Sequence, residues 1–158
     1  MNRDEVLTAL RALQDAGVEY VLIGAMAMGV HGVVRATEDM DLLVRAEREN
    51  IKRLRAALRT AYKDDPNIDD IRADDLLGEY PAVRYCPPNG ELYFDLITRL
   101  GEMATFESVE SEVIEVDGIR IWVATPAALH RLKKSTVRPI DWQDAATLRS
   151  TFGLEEED

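Results

Sequence analysis

Apolar residues recur at helical spacing at Val6, Leu7, Leu10 and Leu13, which predicts an amphipathic helix over 3–16. Asn2 and Glu5 are spaced as a capping box at its start, and Gly17 stops it. Residues 18–23 are β-branched and aromatic, as in a buried strand, and Gly24 ends that run. Ala25 to Val30 reads as a short helix of small residues and methionines, Arg35 to Glu38 as a loop, and Met40 to Val44 as a second strand. A long helix is expected over 47–62, with Ile51, Leu54, Leu58 and Ala61 on one side. The following acidic segment contains Pro66 and reads as a loop plus a short helix near 71–77. Strand-like runs at 82–86 and 91–97 flank Pro87-Pro88-Asn89-Gly90, a hairpin signal, and Asp117-Gly118 plays the same part between 112–116 and 119–123. Thr125 and Pro126 are the cap and first residue of a further helix, and a last helix runs over 140–152 to Gly153. With no repeat or linker, this order predicts one α/β (α+β) domain over 1–158: a mixed β-sheet with helices packed on it and helices at the C-terminus.

Composition narrows the picture. The 158 residues are 46% hydrophobic and 31% charged, as in a soluble globular protein, and no apolar stretch approaches the length of a membrane span. The N-terminal residues lead directly into the first helix, so no leader peptide is expected, and Cys86 has no second cysteine to pair with, which suits a reducing cytoplasm. A net charge of −11 argues against nonspecific nucleic-acid binding. The charge is nevertheless sorted. Arg45, Arg48, Lys52, Arg53, Arg55, Arg59 and Lys63 cluster in one segment, whereas 64–79 holds seven acids and the single base Arg72. The plain reading of this pattern is a solvated helix face, and its basic stripe is the part of the chain able to dock an RNA.

The candidate chemistry lies in two aspartates two residues apart in an apolar run. On a strand, Asp39 and Asp41 share a face, where their repulsion calls for a cation. Asp95, within Tyr93-Phe94-Asp95-Leu96-Ile97, is a third carboxylate on an expected central strand, costly to bury without a partner. If the two strands are neighbours, the three oxygen-rich side chains form a site for Mg²⁺, with Mn²⁺ an alternative. Upstream, the turn at Gly24 and Ala25 points backbone N–H groups toward an anion, and Arg35 adds a charged fork.

The pattern Gly24-Ala25…Asp39-Met40-Asp41…Asp95 resembles the DNA polymerase β-type nucleotidyltransferase superfamily. The string His31-Gly32…Arg35-Ala36-Thr37-Glu38-Asp39-Met40-Asp41 is similar to its minimal bacterial branch, which includes AbiEii-like toxins. So is Ala124-Thr125-Pro126…Leu132-Lys133…Arg138-Pro139-Ile140-Asp141…Asp144, and the likeness runs from residue 18 to about 148. The resemblance implies Mg²⁺-dependent transfer of a nucleoside monophosphate from an NTP to a hydroxyl of a tRNA end, a protein or a small molecule. Asp39 and Asp41 would hold metal and triphosphate. Asp95 would hold the second metal and help deprotonate the acceptor. Gly24, Ala25, Arg35, Thr37 and Lys133 would contact the nucleotide. An antitoxin partner and a homodimer through a sheet edge are further expectations. Where that superfamily has Gly-Ser or Gly-Gly, this chain has Gly24-Ala25, so residue 25 offers only its N–H. The competing functions are a catalytically inactive relative that binds a nucleotide or a protein, and an interaction module that uses the acidic segment.

Simpler roles stand beside each of these. Asp39 and Asp41 would cap a loop, and Asp95 would pair with Arg84 across the hairpin. His31 would be structural, and Met26, Met28 and Met40 core filler. Lys133 and Lys134 would favour a helix end, Asp141 and Asp144 would cap and brace the last helix, and Trp122 and Trp142 would pack.

Overall fold

The computed structural model describes residues 3–33, 37–63, 65–78, 81–100, 104–134 and 139–154, with the side chains of 134 and 139–141 left out of the description. In chain order the elements are α1 (Arg3–Asp15), β1 (Tyr20–Ile23), α2 (Gly24–Val30), β2 (Asp39–Val44), α3 (Arg48–Ala61) and α4 (Ala73–Leu77). They continue through β3 (Ala82–Tyr85), β4 (Tyr93–Ile97), β5 (Arg99–Leu100), β6 (Ala104–Thr105), β7 (Ser111–Val116), β8 (Ile119–Ala124), α5 (Pro126–Lys134) and α6 (Pro139–Phe152).

Six strands form one mixed sheet in the order β3-β4-β2-β1-β8-β7. Two antiparallel hairpins, β3/β4 and β7/β8, make its flanks. At the centre β1 runs antiparallel to β2, while β2 pairs parallel with β4 and β1 parallel with β8. The mixed α/β class and every strand of this sheet follow the apolar pattern of the sequence. Two features do not. Residues 66–70, read as loop, form a 3₁₀ turn whose Asn67 N–H is capped by Asp65, and β5 and β6 make a separate two-residue ladder.

The alternation along β2 and β4 sorts the two faces of the sheet. Met40, Leu42, Phe94 and Leu96 are fully buried, and Phe94 meets Tyr62, at the end of α3, edge to face at 5.8 Å. This face packs on the layer of α1 and α3, where Leu10, Leu13, Leu54 and Leu58 are buried, each contributing about 2 kcal/mol. The opposite face carries Asp39, Asp41, Tyr93 and Asp95, all only partly covered. Met26, Met28 and Met40 are core residues as expected, whereas Trp122 and Trp142 are half exposed and do little of the packing expected of them.

Glu5 has a role that helix capping does not describe. Asn2, and with it the capping box, lies outside the described residues; the Glu5 carboxylate accepts from the Tyr62 hydroxyl at 2.8 Å and from the N–H groups of Glu91 and Leu92 at 3.0 and 3.2 Å. It fastens α1 to the chain just before β4. A Cβ at Gly90 would come against Glu5 Oε1, so a side chain there would have to displace that carboxylate. His31 likewise ties elements together: its Nε2 lies 2.7 Å from the Ala124 carbonyl and its ring stands edge-on to Phe152.

Candidate catalytic cleft

Because β2 and β4 run side by side in parallel, Asp41 stands directly opposite Asp95. Cross-strand partners in this register project to the same face. Two carboxyl groups set side by side in this way disfavour ionisation of both at once. Burial pushes the Asp41 carboxyl up to about 7. The hydrogen bond and charge of Asp95 act in the same direction, the charge of Asp39 adds to them, and Lys133 opposes. A partly buried like-charge pair of this kind is costly in the folded chain, and either a proton or a cation relieves it.

Gly24 closes one side of the pair. It has φ +75°, which L side chains rarely adopt, and a Cβ there would overlap Asp41 Oδ2 while lying 3.1 Å from Asp41 Cγ. Both backbone conformation and space therefore demand glycine. Ala25, the next residue, is buried, so its contribution to a ligand is limited to its amide.

Asp39, at the start of β2, shares the face of Asp41 but is drawn to a different partner. Arg84 on β3 donates to Asp39 Oδ1 at 3.1 Å and lies over the Tyr93 ring at 5.0 Å. The pairing of Asp95 with Arg84 read from the hairpin is thus corrected. Arg84 is opposite Asp95 in register, but its long side chain slants one step further and ion-pairs with Asp39, while still feeling the charge of Asp95. With both partners about half exposed, the pair is worth no more than about 1 kcal/mol, so it yields readily to a stronger ligand. The expected convergence of Asp39, Asp41 and Asp95 on one point is not met: among the described residues no three His, Cys, Asp or Glu side chains group as a metal cage, and Asp39 is turned to Arg84 instead.

The remaining candidates divide. Thr37 sits at the entry to β2, where its hydroxyl oxygen accepts from the Asp39 N–H at 3.1 Å, fixing the start of the strand. Arg35 lies outside the described residues, as does Ala36. Lys133 on α5 is buried, with Nζ 3.1 Å from Asp144 of α6, and its positive charge reaches Asp41. Asp144 therefore braces α6 against α5 as an ion pair, and the side chain of Asp141 lies outside the description. Arg84 is the site residue that pattern reading undervalued. The alternation of β3 was the available signal, since it sets Arg84 on the carboxylate face.

The donor set is all oxygen, which suits a hard divalent cation rather than a soft one. Asp41 and Asp95 stand side by side across the two strands, and Asp39 lies on the same face two residues before Asp41. By donor type these carboxylates suit a cation such as Mg²⁺ or Mn²⁺, while the three do not close on one point.

No family model matches the chain, and no curated protein matches it. Among solved structures, the chain is similar to a protein of Thermotoga maritima provisionally described as a nucleotidyltransferase, at 16% identity and a TM-score of 0.48, over 97% of this chain and 96% of that one. A likeness this distant carries no function with it, so the functional reading rests on the cleft itself. No helix among the described residues is long and apolar enough to cross a membrane.

Proposed function

We propose that this chain is a divalent-cation-dependent nucleotidyltransferase that moves a nucleoside monophosphate from an NTP to an acceptor hydroxyl. The observation that carries the reading is the half-buried Asp41–Asp95 pair, held in register on neighbouring parallel strands with Asp39 on the same face. Asp39, Asp41 and Asp95 would hold Mg²⁺, which when bound supplies Lewis-acid stabilisation of the phosphoryl oxygens. The acceptor oxygen forms a bond to the α-phosphorus, the bond to the bridging oxygen of the β-phosphate breaks, and pyrophosphate leaves. Asp95, at the β3 side of the cluster, takes the acceptor's proton. The Gly24 and Ala25 amides lie on the opposite, β1 side, where the triphosphate would rest, and Arg35, Thr37 and Lys133 would complete nucleotide binding in line with the sequence resemblance. A tRNA end, a protein side chain or a small molecule is the acceptor, and a cytoplasmic toxin controlled by an antitoxin is the biological setting we favour.

Two observations favour a second reading, a nucleotide binder without turnover: residue 25 has no hydroxyl, and Asp39 is engaged by Arg84. One experiment separates the two. The protein is incubated with each labelled NTP, Mg²⁺ and cell RNA or lysate. Label transfer that disappears in Asp39→Ala and Asp95→Ala supports the enzyme. Thermal stabilisation by Mg-NTP with no transfer supports the binder. Absence of both refutes the nucleotide reading altogether.

A further inference from the structure

A groove of about 340 Å³ lies between α3 and the segment that follows it, and its walls run against the charge of the whole molecule. Arg48, Lys52 and Arg55 line one side and Arg72 the other, with Asp69 and Asp74 as the acids among them. Four cations against two carboxylates give a positive groove on a chain whose net charge is −11. Positions 48, 52 and 55 are spaced i, i+4, i+7, which places all three on one stripe of α3.

Ion pairing does not use up this charge. Arg48 is paired with Asp74 at 2.5 Å, and Asp69 is taken by Arg59 at 2.6 Å. Lys52 and Arg72 make no ion pair within 4 Å among the described residues, and Arg55 has only a long contact, 3.4 Å, to the Ile71 carbonyl. Arg55 Nε is buried with no hydrogen-bond acceptor. A buried guanidinium N–H without an acceptor is costly and rare, and points to a missing acceptor. The ligand suited to two guanidinium forks and an ammonium is a tetrahedral oxyanion, which offers several acceptor oxygens at once. The groove also has room for several waters beside it, at about 30 Å³ each.

We propose that this groove is a phosphate-binding site, separate from the carboxylate cleft and held by Arg55, Arg72 and Lys52. It lies with α3 on the other layer of the fold, so it does not depend on the transfer reaction proposed above. At physiological ionic strength charges are screened within about 8 Å, so the acids elsewhere on the molecule weigh little beside the four cations and two carboxylates that line the groove. The phosphate is either free or carried along a nucleic-acid strand.

The test is NMR of arginine Nε–H groups in the full chain, titrated with inorganic phosphate against chloride at matched ionic strength. The Arg55 Nε–H signal is expected to shift saturably with phosphate and not with chloride, while Arg84 stays unmoved. Lys52→Gln, an exposed substitution that leaves folding intact, weakens the phosphate constant several-fold, and Arg55→Gln by roughly tenfold. A single-stranded oligoribonucleotide forms the second arm. Tighter saturation per phosphate by the oligonucleotide assigns the site to a strand-borne phosphate, and equal saturation assigns it to the free ion. Asp39→Asn leaves every shift unchanged, which separates this site from the cleft. A response shared with chloride, or none to either phosphate probe, overturns the proposal.

Discussion

Asp41→Asn is the most informative single change, because it removes a charge whose penalty is set by the sheet register. In the unfolded chain an aspartate has a pKa near 3.9. In the fold, burial first, then the bond and charge of Asp95, raise that of Asp41 to about 7. The folded state therefore binds more protons than the unfolded chain between these two values. The associated stability is fully present below pH 4 and is lost as pH rises to 7, at up to about 1.4 kcal/mol per pH unit. Asparagine keeps the shape, can still donate to Asp95, and does not titrate. The variant is expected to match the wild type near pH 4. By pH 8 it should exceed the wild type, with a ceiling of roughly 4 kcal/mol and a measured gain of about 2 kcal/mol or more. Urea unfolding at a series of pH values, without divalent cations, measures the difference directly. Millimolar Mg²⁺ should then close part of the gap at pH 8 by stabilising only the wild type. A difference that stays constant from pH 4 to pH 8 would refute the raised Asp41 carboxyl and, with it, the basis for placing a cation there.

Three further outcomes follow from the same cleft. Gly24→Ala must adopt φ +75° and push Asp41 aside, costing at least 1–2 kcal/mol from the backbone alone, and thermal denaturation should show it together with loss of any metal-induced stabilisation. Arg84→Gln frees Asp39, so Mn²⁺ binding measured by calorimetry without nucleotide should tighten several-fold, and unchanged affinity would mean that Asp39 is not a ligand. Lys133→Met leaves Asp144 buried without its ion-pair partner and should cost about 3–5 kcal/mol in denaturant unfolding, where a loss below 1 kcal/mol would show that α5 and α6 do not depend on the pair.

The helices, the strands and the common face of Asp39 and Asp41 were legible because they depend on local periodicity, which the chain displays openly. Gly24 was legible as a turn, but not as the residue against which Asp41 packs, since that contact crosses from β1 to β2. The adjacency of Asp95 depended on β4 choosing β2 as its parallel neighbour, and no local pattern states that choice. The ion pair of Arg84 with Asp39 was hidden for a related reason: register sets Arg84 opposite Asp95, while a long side chain reaches past its opposite number. The tie from Glu5 to Tyr62 and to the 91–92 backbone was not legible, because those partners lie more than fifty residues away. The 3₁₀ turn at 66–70 is built from aspartates and a proline that read equally well as loop.

The grip of Glu5 on the amides of Glu91 and Leu92 has a practical side. Those amides come a few residues before Asp95 in the same stretch of backbone, so the seating of the first helix and the aim of that carboxylate are mechanically linked. An insertion or fusion that unsettles the opening turns of α1 would be felt first as a fault in the chemistry, with the bulk of the protein still folded. Mutational surveys confined to the cleft would miss one of the residues on which its alignment depends.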